Sequence, residues 1–246
     1  MTGLNRFINI IRLFDENQGE WTIPEMAESL EAPTSTIYRN VRELSKAGFL
    51  ESAPSSRYRL GPAFVEFNRR FQLTDPLMRT GSKFLTSLIS HVPAPSVVAL
   101  SRLYDNQVMC TITQQSPNIK FSTSYQKGHP MPLIKGATSK VILASLKPKR
   151  LNELLNQQFK DSENDANKKQ FLMQLKEINQ KGYCVTRGEV DDGLVGLAAP
   201  IVSEKHNIFA SLSIISDGNL LQYEDENQIL PLLTSTAKII GNNLAE

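Results

Sequence analysis

Ile23-Pro-Glu-Met-Ala-Glu-Ser-Leu-Glu-Ala-Pro-Thr-Ser-Thr-Ile-Tyr-Arg39, continued by Leu44 to Leu50 and closed by Tyr58-Arg-Leu-Gly-Pro62, decides how the N-terminal part of this chain folds. Ile23, Met26, Ala27 and Leu30 fall at helical spacing with Pro24 in the first turn, which predicts a short helix. Glu31-Ala32-Pro33 breaks it. Thr34 or Ser35 is placed to cap the next helix, whose apolar stripe is Ile37, Val41 and Leu44 and whose stop is Gly48. Phe49-Leu50-Glu51, a polar turn from Ser52 to Ser56, and Arg57-Tyr58-Arg59-Leu60 then read as a small hairpin. Upstream, Leu4, Phe7, Ile8, Ile11 and Phe14 predict a first helix that Asn17-Gln18-Gly19 ends. Three short helices followed by a hairpin, all within residues 1–61, make a winged helix-turn-helix. A unit of that size buries only about 60% of its chain surface, so support from the rest of the protein is expected.

Working outward, Gly61-Pro62 opens a linker helix over 62–74 carrying Phe64, Phe67 and Phe71, and a second domain is expected over 75–246. Asp75 and Pro76 suit the N-cap and first position of a helix with Leu77, Phe84, Leu85, Leu88 and Ile89 on its apolar face. Val97 to Leu103 and Gln107 to Thr113 are β-rich runs joined by Tyr104-Asp105-Asn106. A polar stretch runs from Gln114 to Pro132, and two or three helices cover Ala137 to Lys181. Strands are expected at Tyr183 to Thr186, Leu194 to Val202 and Ile208 to Ile215. A terminal helix follows, with Pro231 suiting its first turn better than its middle. Strands flanked by helices at both ends indicate an α+β domain with a mostly antiparallel sheet.

Composition is that of a globular protein: 40% hydrophobic and 21% charged over 246 residues, with no apolar run long enough to cross a bilayer. Met1 to Gly19 lacks the apolar centre of a secretion signal, so the cytoplasm is the expected address. Cys110 and Cys184 lie far apart, as do His91, His129 and His206, and neither a metal nor a cofactor site is expected. The formal net charge of +2 says little about partners. Residues 1–61 hold seven basic and eight acidic side chains, but Ser35 to Gly61 holds five basic against two acidic. Only a local surface is basic, and placement must therefore carry any nucleic-acid reading.

Placement does carry it. With Ile37, Val41 and Leu44 inward, Tyr38, Arg39, Arg42 and Lys46 fall outward, with Thr34, Ser35 and Thr36 at the exposed N-terminus. Amides and hydroxyls at a helix start grip phosphates, while arginine pairs with guanine in the major groove. Arg57 and Arg59 alternate with Tyr58, so both are expected on one side of the hairpin, against the DNA backbone or minor groove.

The quoted N-terminal stretch resembles the winged helix of the IclR family of bacterial regulators. Two further stretches resemble that family's C-terminal half. One is Met131-Pro-Leu-Ile-Lys-Gly-Ala-Thr-Ser-Lys-Val-Ile-Leu-Ala144; the other is Gly182-Tyr-Cys-Val-Thr-Arg-Gly-Glu-Val-Asp-Asp-Gly193 followed by Leu197-Ala-Ala-Pro-Ile201. The resemblance implies a GAF-like effector domain, a homodimer formed mainly through the N-terminal half and often a tetramer. A dimer presenting two third helices to successive major grooves is expected to read a pseudo-palindromic double-stranded operator. Repression is the expectation, although no residue in the pattern distinguishes it from activation. The ligand, a small organic acid, is implied at Gly136, Ala137, Thr138 and Ser139, with Thr186, Leu194, Gly196 and Ser213 opposite. A helix N-terminus suits a carboxylate, and Thr138 and Ser139 add hydroxyl donors.

The chain departs from the family pattern within that site. Ile134 stands where His is usual, Ser139 for Gly, Thr186 for Asp, Gly196 for Cys and Ile215 for Ser. These changes remove polar groups and, at Gly196, volume, so a roomier pocket for an aromatic or longer acid is expected. A ligand-independent regulator with a degenerate sensor domain is the alternative. Enzymatic activity is the remote one. Ser139-Lys140 are adjacent on a helix and point about 100° apart. Asp191-Asp192 before Gly193 reads as a turn, and no His completes a Ser/His/Asp set.

Overall fold

The computed structural model describes residues 3–159 and 165–245, and the chain divides into two compact units, 1–74 and 75–246. The first unit begins with α1 (Gly3–Ile11), β1 (Trp21–Thr22), α2 (Ile23–Ser29) and α3 (Thr34–Lys46). It continues with β2 (Leu50–Ala53), β3 (Arg57–Leu60) and α4 (Ala63–Thr74). Ile10, Phe14, Met26, Ala27, Ile37, Val41, Leu44 and Leu50 form its core. The first-helix stripe is rotated from the expected one: Ile10 is fully buried while Leu4 is 69% exposed. The α-helix itself stops at Ile11, and tighter bonds from Leu13 to Ile10 and from Phe14 to Ile11 bring Phe14 into the core.

Two features of this unit were not legible from periodicity. Trp21–Thr22 adds a third strand, giving an antiparallel sheet in the order β1-β3-β2. Thr22 also caps α2 through a capping box: its hydroxyl accepts from the Glu25 N–H at 3.3 Å and its own N–H donates to the Glu25 carboxylate at 2.7 Å. The α3 cap differs from the expectation. Pro33 is the N-cap, Thr34 is already helical, and no side chain caps the first turn. Pro33 has no N–H and its ψ of 131° sets the extended entry, so neither hydroxyl is needed to start the helix. The α3 stop is as expected, with Gly48 at φ 75° just past the C-cap Ala47. Phe64 and Phe67 of α4 pack on Phe49 at ring distances of 5.5 and 5.6 Å.

The second unit opens with α5 (Pro76–Ile89), β4 (Ser96–Tyr104), β5 (Gln107–Gln115) and β6 (Pro130–Met131). Three helices follow, α6 (Ala137–Ala144), α7 (Pro148–Gln158) and α8 (Asp165–Lys181). It closes with β7 (Cys184–Arg187), β8 (Leu194–Ser203), β9 (Ile208–Asp217) and α9 (Tyr223–Ala245). The six strands form one antiparallel sheet in the order β6-β5-β4-β9-β8-β7. Because side chains alternate along a strand, the sheet builds two cores. Val97, Ala99, Cys110, Leu194, Ala198 and Ile215 face α6 and Tyr125. Val98, Leu100, Leu197, Ile201, Leu212 and Ile214 face α5 and α9. Asp75 caps α5 as expected, accepting the Met78 N–H at 3.0 Å.

Pro231 corrects one expectation. It lies inside α9, which begins eight residues earlier at Tyr223. The proline is exposed, so its ring needs no room in the core, and burial of Glu226 and Ile229 holds the preceding turns in place. No helix among the described residues is long and apolar enough to cross a membrane.

Candidate functional site

On α3, burial of Ile37, Val41 and Leu44 turns the other face to solvent. Thr34, Ser35, Arg39, Arg42 and Lys46 are exposed, Tyr38 is 56% exposed, and Thr36 is half-buried. The basic side chains then fall into two groups. Among the described residues no ion pair holds Arg39 or Arg42, whereas Lys46 pairs with Glu43 at 3.1 Å. On β3, Arg59 pairs with Glu51 at 2.6 Å, and hydrogen bonding to that carboxylate raises the guanidinium pKa. Arg57 is half-buried; it donates to the Glu20 carbonyl at 2.9 Å and to the Glu25 carboxylate at 3.0 Å. Hydrogen bonds from the backbone and hydroxyl of Thr22, with the Arg57 charge added, hold Glu25 below the usual carboxylate range. Arg57 thus ties the wing strand to the start of α2. Sequence reasoning paired Arg57 with Arg59 on the hairpin and missed this anchoring, for which the capping glutamate at Glu25 was the available signal.

The expected effector residues lie on the α6 side of the second sheet. Gly136 is the N-cap of α6 at φ 79° and ψ 150°, and a Cβ there would stand 2.7 Å from Val190 Cγ2 and 2.8 Å from the Tyr125 hydroxyl. Only glycine enters that region without strain, which is why the helix starts there. The Ala137 N–H donates to Thr186 Oγ1 at 3.0 Å, and Thr138 and Ser213 share a hydrogen bond of 2.9 Å. Gly196, paired across strands with Thr186 and Ile215, faces the same place. A Cβ on Gly196 would lie 3.5 Å from Thr186 Oγ1 and 3.8 Å from Ala137 Cβ. Leu194 is buried in the adjoining core. Ser139 turns away, donating to the Pro132 carbonyl at 2.6 Å. Ile134 is half-buried against that core and Ile215 is buried within it.

Four residues that sequence reasoning did not place in the site complete it. Glu189 accepts the Gly136 N–H at 2.9 Å and pairs with Lys140 at 2.7 Å. The Lys140 side chain is only 6% exposed. A lysine between Ser139 and four apolar residues on a buried helix demands a counter-charge, and that was the signal available. Tyr125 is buried, and burial pushes its phenol up to about 12. Asp191 does more than turn the chain: it accepts from the Thr123 hydroxyl at 2.7 Å, the Ser124 N–H at 3.0 Å and the Ser124 hydroxyl at 2.5 Å. Those bonds pin the segment that carries Tyr125 over the start of α6. The site is therefore lined by hydroxyls and closed at the helix start by the chain's own carboxylate.

A winged helix-turn-helix with an uncommitted arginine pair on its third helix, joined to an antiparallel α+β domain, defines a DNA-binding regulator. Comparison with known proteins agrees. Residues 3–54 match the IclR helix-turn-helix domain, and residues 76–242 match the C-terminal domain of bacterial transcriptional regulators of the IclR type. The chain belongs to the IclR family of DNA-binding transcriptional regulators. It is 21% identical over 248 residues to the Pca regulon regulatory protein of Pseudomonas putida, covering 99% of this chain and 84% of that one. It is 22% identical to the p-hydroxybenzoate hydroxylase transcriptional activator of Acinetobacter baylyi, covering 98% and 91%. An IclR homologue of Microbacterium hydrocarbonoxydans, solved in complex with 4-hydroxybenzoate, shares the fold at a TM-score of 0.79, with 19% identity and 98% of each chain covered.

Proposed function

We propose that this regulator reads a pseudo-palindromic operator with α3, as a homodimer, and that an aromatic carboxylic acid bound on the α6 face of the second unit changes its operator affinity. Arg39 and Arg42 are the base readers. Thr34, Ser35 and Thr36 position the helix start on phosphate, and Lys46 and Arg59 exchange their carboxylate partners for backbone phosphates. Arg57 stays with Glu25 and sets the wing. The exposed apolar side chains of Val65, Phe67, Phe71 and Leu73 on α4 support a second copy covering that helix. The effector reading is carried by one observation above all: the amides of Gly136 and Ala137 and the hydroxyls of Thr138, Thr186 and Ser213 converge on one face of the sheet. Two similar proteins named for p-hydroxybenzoate or bound to it support an aromatic acid. A 100-fold response in DNA affinity needs only about 2.7 kcal/mol of coupling.

A thermal-shift series with acetate, pyruvate, benzoate and 4-hydroxybenzoate tests the reading, because a ligand that favours the native state raises its melting point by mass action. A rise confined to the aromatic acids is expected. A rise with pyruvate or acetate alone would refute the aromatic preference, and no rise at all would favour the ligand-independent alternative. That alternative has some support in Glu189, which already occupies the helix start.

A further inference from the structure

A cleft of about 300 Å³ opens in the first unit between α1 and α3, beside the turn that joins α2 to α3. Arg6, Asn9, Glu31, Thr36 and Asn40 give it its polar lining. Asn40 is the unexpected residue. It completes the inward face formed by Ile37, Val41 and Leu44, where packing alone calls for an apolar side chain, and it is 6% exposed. Its Nδ2 is buried and has no hydrogen-bond partner among the described residues. Natural folds rarely leave a buried donor unmade, because the group has given up water and gained nothing in return. Asn40 lines the open cleft, so a turn of its side-chain amide can bring this donor to an acceptor from outside.

The cleft also has the charge and position for one kind of acceptor. Arg6 is exposed, and no carboxylate pairs with it among the described residues. The first turn of α3 has no side-chain cap. At 3.6 residues per turn, Thr36 and Asn40 share the edge next to the outward row of Ser35, Arg39, Arg42 and Lys46. A helix lying in the major groove has a sugar–phosphate strand along each edge. Resting on the DNA-binding reading above, we propose that this cleft holds a backbone phosphate of the operator, with Asn40 Nδ2, the Thr36 hydroxyl and the Arg6 guanidinium as its donors. Glu31 lines the cleft as well, and its carboxylate opposes the phosphate. The contact fixes the helix in register and carries no sequence information.

The test uses the full chain with an operator duplex selected by the wild-type protein from random sequence, and a scrambled duplex of equal length. Affinities are read by fluorescence anisotropy at two potassium chloride concentrations. Arg6→Ala is expected to weaken both duplexes by the same factor, about three- to tenfold, and to lower the salt slope by about one. Asn40→Leu fills the inward face with an apolar group, so its melting temperature is expected to hold or rise while both affinities fall. Glu31→Gln is expected to tighten both. A purely structural role for Asn40 would leave DNA affinity following stability, the opposite sign. Unchanged affinity in Arg6→Ala and Asn40→Leu overturns the phosphate contact. If Arg39→Ala still abolishes operator preference in that case, the DNA reading stands; if it too is silent, both readings fall. A thermal shift with inorganic phosphate that Asn40→Leu removes, with DNA affinity intact, also overturns the assignment and marks the cleft as a site for free anions.

Discussion

Replacing Glu189 by Ala removes the counter-charge of Lys140, a lysine whose side chain is 6% exposed. The pair closes at 2.7 Å, and the same carboxylate accepts the Gly136 N–H at 2.9 Å. Removing one partner of a fully buried pair costs about 3–5 kcal/mol, because the other charge stays behind without water. Glu189 is 31% exposed, so solvent screens part of the interaction and moves it to the low end of that range. The lost hydrogen bond to the helix cap contributes a further ~1 kcal/mol. Glu189→Ala is therefore expected to destabilise the second unit by about 4 kcal/mol in total. Lys140→Met leaves a carboxylate that still caps Gly136 and still reaches water, and should cost about 1–2 kcal/mol. The double variant should fall short of the sum by about 2 kcal/mol, because the two singles break one interaction. Urea unfolding measures this with two signals: Trp21, the single tryptophan, reports the first unit, and far-ultraviolet circular dichroism reports both. Additivity within about 0.5 kcal/mol would refute the coupling of Lys140 to Glu189.

Three further outcomes follow from the same geometry. Arg57→Ala should destabilise the first unit by about 1–2 kcal/mol, because it leaves the Glu20 carbonyl without its donor and Glu25 without its counter-charge, whereas exposed Arg59→Ala should leave the urea midpoint unchanged; tryptophan-detected urea unfolding separates them. Gly136→Ala should cost about 2–5 kcal/mol, from a backbone region closed to alanine plus overlap with Val190 and Tyr125, and should abolish any thermal shift by 4-hydroxybenzoate. Burial pushes the thiols of Cys110 and Cys184 from an ordinary 9 to about 11. Raised folded-state values mean that their contribution to stability is whole below pH 9 and is lost as the pH climbs toward 11. Urea midpoints measured from pH 8 to 10.5 should fall only above 9, and a flat profile would contradict the burial of both thiols.

The winged helix was legible because each of its cues is local. Apolar spacing of 3 and 4, Pro24 in a first turn, Gly48 as a stop and alternation around Tyr58 all act within a few residues. The strands were legible for the same reason, since β-branched runs such as Val97 to Leu103 bury both faces of a covered sheet. What stayed hidden depends on residues far apart in sequence. Arg57 finds Glu25 across 32 positions and Lys140 finds Glu189 across 49, and no periodicity announces either pair. Pro231 misled because a proline inside a helix is costly in general but tolerable on an exposed face. In the candidate effector site, Gly136 was legible as a helix start. The closure of that start by Glu189 and Tyr125 needed the fold, because both arrive on segments whose sequences read as turns or polar loop.

Operator affinity measured by anisotropy against rising 4-hydroxybenzoate tests the central claim most directly. The account predicts a saturable change of about 10- to 100-fold in dissociation constant, equivalent to about 1.4–2.7 kcal/mol of coupling, that is lost in Gly136→Ala. A dissociation constant that stays the same across the titration, in a protein that still prefers operator over scrambled DNA, would contradict it and leave a regulator that reads DNA without this ligand.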